Sequence, residues 1–379
     1  MKMKWLLALV ICLAMFALPG MAQEAEEITD QCRFVYAPRS EGKKNMGDRS
    51  YITYYKGKYL EVETPAEVPC FGLYCSFAGR EIPYQVQTLN AEGEWETLLT
   101  DDRLYANSYL PLPGLSAFRI APVEAENVSI AEIHLFGEGE KPGWVQDWKP
   151  FEGKADLLVL SAHADDEMLF FGGIIPYYAG QMQKNVIVCY LTDQTSCRRN
   201  ELLDGLWLCG VRAYPSMGVF KDIKVDTLGD CYGYWGEKNV EEYVTGLFRK
   251  YQPDVVVTHD VRGEYGHGAH RTCADVSKKA LVKAAEGENG WQVKKLYLHL
   301  YKENQIVFDW RQPLSFFEGK TAFDMANAGF KCHASQQSNG LIVQDWGRYA
   351  NNIFGLYHSE VGLDEAKNDL FEHLEAAVQ

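Results

Sequence analysis

The chain changes its hydrophobic period part-way along. From about Gln31 to Gly137, short runs alternate apolar and polar residues: "RSYITYYKGKYLEV", "YQVQTLNAEGEWETLL", "SAFRIAP" and "VSIAEIHLFGEG". Period two marks half-buried antiparallel strands, because successive side chains leave a strand on opposite faces. Within the second run, "NAEG" predicts a hairpin turn, since Asn and Gly tolerate the backbone angles a tight turn requires. The region over residues 31–138 therefore reads as an all-β sandwich.

Residues 139–154, "GEKPGWVQDWKPFEGK", have no period and are rich in Gly, Pro and Lys, which predicts a linker. Beyond it, apolar strands alternate with stretches of helical spacing. The predicted strands are Leu157 to Ser161, "VIVCYLT" from Val186, "DVVVTH" from Asp254 and "KLYLHL" from Lys295; "RRNELLDGLWLCG" and "NVEEYVTGLFRKY" are predicted helices. Such alternation predicts an α/β region over residues 155–379: a three-layer, mostly parallel, Rossmann-like sheet with helices on both faces. Neither region contains an internal repeat or a low-complexity tract.

The first 22 residues add a compartment to this picture. Lys2 and Lys4 precede an apolar stretch from Trp5 to Leu18, followed by the small residues Gly20 and Ala22. That stretch is shorter than the roughly 20 residues that span a bilayer, and no other segment is long enough. An export signal cut near Ala22 is expected, which makes the mature protein secreted or extracytoplasmic. Cys12 lies inside the apolar stretch, which argues against a lipid-anchored N-terminal cysteine. Cleavage removes two lysines and no acid, so the net charge of −15 becomes −17, and neither nucleic acid nor anionic membrane is an expected partner. Nine of the ten cysteines survive cleavage, with Cys70 and Cys75 the local candidates for a disulfide. Their scattered spacing does not suit a cysteine zinc site. Oligomeric state is left open by the sequence.

Chemistry concentrates at two predicted strand ends. "AHADDE" follows the strand ending at Ser161, where open α/β sheets place their functional crevice. A dinucleotide site would need a glycine fingerprint there; carboxylates would repel phosphate. His163 and Asp166 stand three apart at a strand-to-helix turn, a spacing that can aim imidazole and carboxylate at one zinc ion. A third ligand is expected from "GEYGHGAHR", in which His267 and His270 occupy a glycine-rich loop after the strand near His259. Asp165, next to a ligand, can act as general base toward a water. Glu167 reads as a solvated helix start. His259 reads as supporting or merely packed, and His333 as a helix cap or a cleft residue; Asp193 lies at a strand end without an assigned role.

These residues resemble the LmbE-like (PIG-L) family of zinc-dependent de-N-acetylases. The likeness rests on "AHADDE" for AHPDDE, "GHGAH" for GHPDH, an R..E....LG-like "RRNELLDGLWLCGV" and a late "HASQ", covering roughly residues 155–340. It implies His163, Asp166 and His270 as Zn2+ ligands, Asp165 as base, a protonated His267 as oxyanion stabiliser and Arg198 as a contact to substrate hydroxyls. Ala164 replaces the motif's proline, and Gly268 and Ala269 replace its Pro-Asp. The N-terminal region resembles the galactose-binding, discoidin-like sandwiches through its "G.W..L" hairpin and the "IAEIHLFG" strand, which implies a glycan-binding module with Tyr54, Tyr55 and Tyr59 as possible stacking rings. The expected activity is removal of acetyl from an N-acetylated amino sugar or glycan. Its rivals are an amidase on another small amide, and a glycan-binding protein whose hydrolase region has lost activity; the intact His163, Asp165, Asp166 and His270 oppose the second.

Overall fold

A computed structural model of the protein describes residues 23–42 and 46–374. The export-signal reading of residues 1–22 lies outside the described residues. The period-two region forms two five-stranded antiparallel sheets. One has the order β1 (Arg33–Tyr36), β4 (Leu60–Glu63), β9 (Ala117–Pro122), β6 (Tyr84–Leu89), β7 (Trp95–Asp101). The other has β2 (Glu41–Gly42), β3 (Tyr55–Gly57), β10 (Val128–Phe136), β5 (Cys70–Phe77), β8 (Asn107–Leu115). Alternate residues of both sheets, such as Val62, Val86 and Ile120 from the first and Leu73, Ile130 and Leu135 from the second, meet in one core. The β6–β7 turn forms as the sequence predicts: Gly93 has φ +79°, and the Asn90 carboxamide accepts the backbone N–H groups of Glu92 and Glu94.

Two expectations for this half are corrected. Cys70 and Cys75 are both free and lie along the single strand β5. At about 3.3 Å rise per residue, five residues place them far beyond the Cα separation a disulfide permits. The three tyrosines form no stacking platform, because Tyr55 is fully buried, with its hydroxyl donating to Tyr59 O, and an Arg119 guanidinium covers the Tyr59 ring. Strand β5 shows no alternation in sequence because both its faces are covered.

The second half carries a six-stranded sheet: β12 (Val186–Tyr190), β11 (Leu157–Ser161), β15 (Val255–Thr258), β16 (Lys295–His299), β18 (Ile353–Ser359), β17 (Gln305–Val307). The first four are parallel and the last two antiparallel, so the sheet is mixed at one edge. A separate pair, β13 (Thr192–Asp193) and β14 (Phe220–Lys221), extends beyond β12. Within β11, Leu157 and Val159 face one core and Leu158 and Leu160 the other. Helices α1 (Asp166–Leu169), α2 (Ser196–Leu208) and α6 (Ala322–Cys332) cover the first face; α3 (Leu228–Trp235), α4 (Glu237–Tyr251) and α5 (Gly268–Ala285) cover the second. Among the described residues no helix is long and apolar enough to cross a membrane.

The aperiodic segment 139–154 is packed rather than loose. Val145 and Trp148 are buried, and Gln146 donates to Asp204 in α2 while its carbonyl oxygen accepts from Asn107 and from the Trp148 indole. Further polar contacts join the halves: Arg199 to Gly79 O and Glu81, Asn200 to Phe77 O, and Tyr51 to Asp204.

Candidate active site

The carboxyl ends of β11 and β15 converge on one cluster. After β11 the chain turns sharply, and Asp165 takes φ +105°, a conformation that a non-glycine residue adopts only under constraint. That turn starts α1 and sends Asp165 and Asp166 to the same side as His163. Asp166 Oδ2 accepts the His163 backbone N–H at 2.8 Å and lies 3.0 Å from His163 Nδ1 and 3.3 Å from His270 Nε2. From the β15 side, His267 caps α5 and its ring lies 4.7 Å from that of His163 and 5.0 Å from that of His270. The structure therefore brings together all six residues singled out in the sequence, with Arg198 reaching in from α2 to lie 3.4 Å from Asp165 Oδ1.

Among the described residues, two groupings of donors could hold a cation: His163, His267 and His270, or Asp166, His259 and His270. Hydrogen bonding separates them. His259 Nε2 accepts the Ala162 backbone N–H at 3.1 Å, so its lone pair is taken. His163 and His270 each keep a buried Nε2 without a hydrogen-bond partner. Imidazole nitrogens without partners beside a buried carboxylate are the donor set a divalent cation requires, and the residues present fit such an ion.

Electrostatics follow from this crowding. Burial, and then the charge of Asp166, push the Asp165 carboxyl up to about 8. Burial would also raise Asp166, but the neighbouring His270 and His163 outweigh it and hold that group well below the carboxylate range. His270 is raised to about 10: its burial opposes charge, and Asp166 and Glu264 overcome it. His267 departs from expectation. Burial and the nearby His163 and His270 lower it to about 3, and its Nδ1 accepts the Ala269 N–H, so the ring is neutral and donates from Nε2.

Glu264 is the residue that the sequence did not single out. Its buried carboxylate receives the Nδ1 atoms of His259 at 3.1 Å, His270 at 2.6 Å and His299 at 2.9 Å, and the Asp260 backbone N–H at 2.9 Å. His299 Nε2 also faces Ala350 O at 2.8 Å, so both of its ring nitrogens lie against oxygens. Burial would raise the Glu264 carboxyl, yet His259 and His270 hold it well below its ordinary value. Glu264 thus fixes His270 with Nδ1 as donor, so that a ligand at Nε2 takes the place of the second ring proton that Asp166 and Glu264 otherwise favour.

Glu167 is not a solvated helix start. It is fully buried, accepts the Asp165 backbone N–H at 2.8 Å and lies 2.6 Å from His333 Nε2. His333, at the C-terminal end of α6, accordingly supports the Asp165 turn from behind. Asp222 was also missed: it stands 3.5 Å from both His163 Nε2 and Arg198 Nη1. Asp193 points outward and pairs loosely with Arg199 at 3.4 Å.

Residues 158–281 match the family model described as PIG-L, GlcNAc-PI de-N-acetylase. A 1D-myo-inositol 2-acetamido-2-deoxy-alpha-D-glucopyranoside deacetylase from Mycolicibacterium smegmatis is 30% identical over 168 residues, covering 37% of this chain and 58% of that protein. A deacetylase of the same name from Frankia casuarinae is 23% identical over 199 residues, covering 42% and 64%. The matched stretches thus span about three fifths of these relatives' own length. The N,N'-diacetylchitobiose deacetylase of Pyrococcus horikoshii aligns with 17% identity and a TM-score of 0.35, over 49% of this chain and 72% of its own. Residues 158–281, which hold His163, Asp165, Asp166, Arg198, His267 and His270, therefore form a domain of the PIG-L deacetylase type.

Proposed function

We propose that the protein is an exported, zinc-dependent hydrolase that removes the acetyl group from an N-acetylglucosamine-type sugar or glycoconjugate. The carrying observation is the pair of buried, unpartnered Nε2 atoms on His163 and His270, set against Asp166 with Asp165 alongside. His163, Asp166 and His270 would hold the zinc. When bound, zinc supplies Lewis acidity that polarises a carbonyl and makes a water acidic near neutral pH. Asp165 takes the proton of the attacking water and delivers it to the departing amine; its raised pKa suits both roles near neutrality. Neutral His267 donates its Nε2–H to the oxygen on which negative charge develops, a type of contact whose loss typically costs about 100 to 1,000-fold in rate. Arg198 spans Asp165 and Asp222 and orients substrate hydroxyls at that edge.

The amino-sugar assignment draws on the relatives, which are named for a 2-acetamido-2-deoxyglucopyranoside. Export draws on the charge and hydropathy pattern of residues 1–22. We assign residues 31–138 to a β-sandwich of the galactose-binding kind that holds glycan, and residues 155–379 to the catalytic domain. Release of acetate and free amine from a panel of N-acetylated glycans tests the reading. Release that chelation abolishes and zinc restores supports it; release from other small amides alone, or none from any N-acetylated sugar, overturns it.

A further inference from the structure

A cavity of about 1270 Å³ opens between the N-terminal sheets and the outer face of α2. Arg198 points from this helix to the active site, whereas Glu201, Asp204 and Trp207 line the cavity, so one helix is wall to both. On the opposite side, Trp144 stands upright against three rings, Tyr74, His134 and Phe136, at centroid distances of 6.0, 5.0 and 5.9 Å. It nevertheless remains 48% exposed, which leaves an ordered indole open to the cavity. The floor is polar. Asp204 accepts from the Tyr51 hydroxyl at 2.7 Å and from Gln146 at 2.5 Å, leaving further lone pairs on both oxygens. Glu132 is 2% exposed, and its Oε2 has no hydrogen-bond partner.

From these features we propose that the cavity is a binding site for an uncharged saccharide, separate from the zinc-binding cluster. Four carboxylic acids, four Arg or Lys side chains and His134 line it, so charges of both signs are present and neither marks it for an ion of one sign. An aromatic platform suits the C–H face of a pyranose, and the carboxylate oxygens of Asp204 and Glu132 suit its hydroxyls. Burial raises Glu132 to about 7 and Asp204 to about 6, so both exchange between acceptor and donor near neutrality, which matches hydroxyl groups that do the same. The site refines the glycan-holding part of the proposed function and is independent of its zinc chemistry.

Calorimetric titration of the full-length protein with galactose, lactose and cellobiose tests this, because none carries an N-acetyl group to be hydrolysed. Failure of deacetylation and failure of this site are thereby distinguishable. The expected result is saturable binding of at least one sugar, weakened about tenfold or more by Trp144→Ala with the cooperative melting transition retained. Asp204→Asn, close in shape, weakens it as well. Absence of binding by all three sugars, binding indifferent to Trp144→Ala, or tighter binding of glucuronic acid than of every neutral sugar would overturn the proposal.

Discussion

Replacing Glu264 with Gln tests whether a carboxylate outside the ligand set governs the metal-binding cluster. The variant keeps the volume, but its carboxamide offers one acceptor oxygen where the carboxylate offers two. Four donors converge on the native group, three imidazole Nδ1 atoms and one backbone N–H, at distances from 2.6 to 3.1 Å. A carboxamide NH2 placed against any of the imidazoles meets donor with donor. Each charge-assisted bond is worth about 1.5–3 kcal/mol, but burying the carboxylate has already consumed much of that sum. The net loss expected is that of removing one partner from a buried charge pair, about 3–5 kcal/mol, or a fall in melting temperature on the order of 10 °C. His270 also loses its tautomer-fixing partner, so zinc affinity should fall about 10 to 100-fold. Thermal melting with and without metal, and metal content at buffered free zinc, read the two effects separately. Native melting and native zinc affinity in Glu264→Gln would refute the assignment of Glu264 as the organiser of this cluster.

Other consequences are checked more simply. Asp165→Asn should retain metal by elemental analysis and lose about 100 to 10,000-fold in acetate release, since an amide cannot accept the water's proton; retained turnover would reject Asp165 as base. Lys295 and Asp364 form a fully buried ion pair, with Tyr297 bonding the other carboxylate oxygen at 2.7 Å. Asp364→Ala should therefore cost about 3–5 kcal/mol, whereas the double replacement Lys295→Met, Asp364→Leu should recover most of it in denaturant titrations. Glu132, pushed up to about 7 mainly by burial, makes stability depend on pH. Between its unfolded value near 4.5 and about 7 the folded state retains a proton the unfolded state has lost, so this contribution declines as pH rises across that window. Glu132→Gln should flatten the melting curve's pH dependence there; an unaltered slope would contradict the assignment.

The parallel strands were legible because each is a short apolar run buried on both faces, set between stretches of helical spacing of which α4 is the clearest. The antiparallel edge, β17 and β18, was not, since Gln305–Val307 is too short to show a period and Ile353–Ser359 acquires its role only by pairing with β16. In the site, local spacing exposed the residues of the β11 turn and the α5 cap. Glu167 stayed hidden because its partner is remote, His333 across 166 positions, whereas Glu264 has His259 and His270 five and six residues away and His299 across 35, and only the folded loop turns its carboxylate toward all three. One signal was available. His259 and His299 both stand at the carboxyl ends of parallel strands, where a buried imidazole needs a charged or polar partner. Protonation of His267 was expected from its role; burial first, and then the nearby His163 and His270, lower it instead, and only the folded geometry reveals both.

The bonds that α2 makes with the N-terminal sheets bear on how such a chain can be taken apart or recombined. Arg199, Asn200 and Asp204 spend their polar groups on Gly79, Phe77, Tyr51 and the intervening Gln146. Excising the sheets leaves a guanidinium, a carboxamide and a carboxylate without those partners, within two turns of the arginine that faces the reaction centre. The halves are therefore not interchangeable cassettes. A chimera that grafts the PIG-L-type half onto a foreign partner would have to rewrite the outer face of α2 along with the junction.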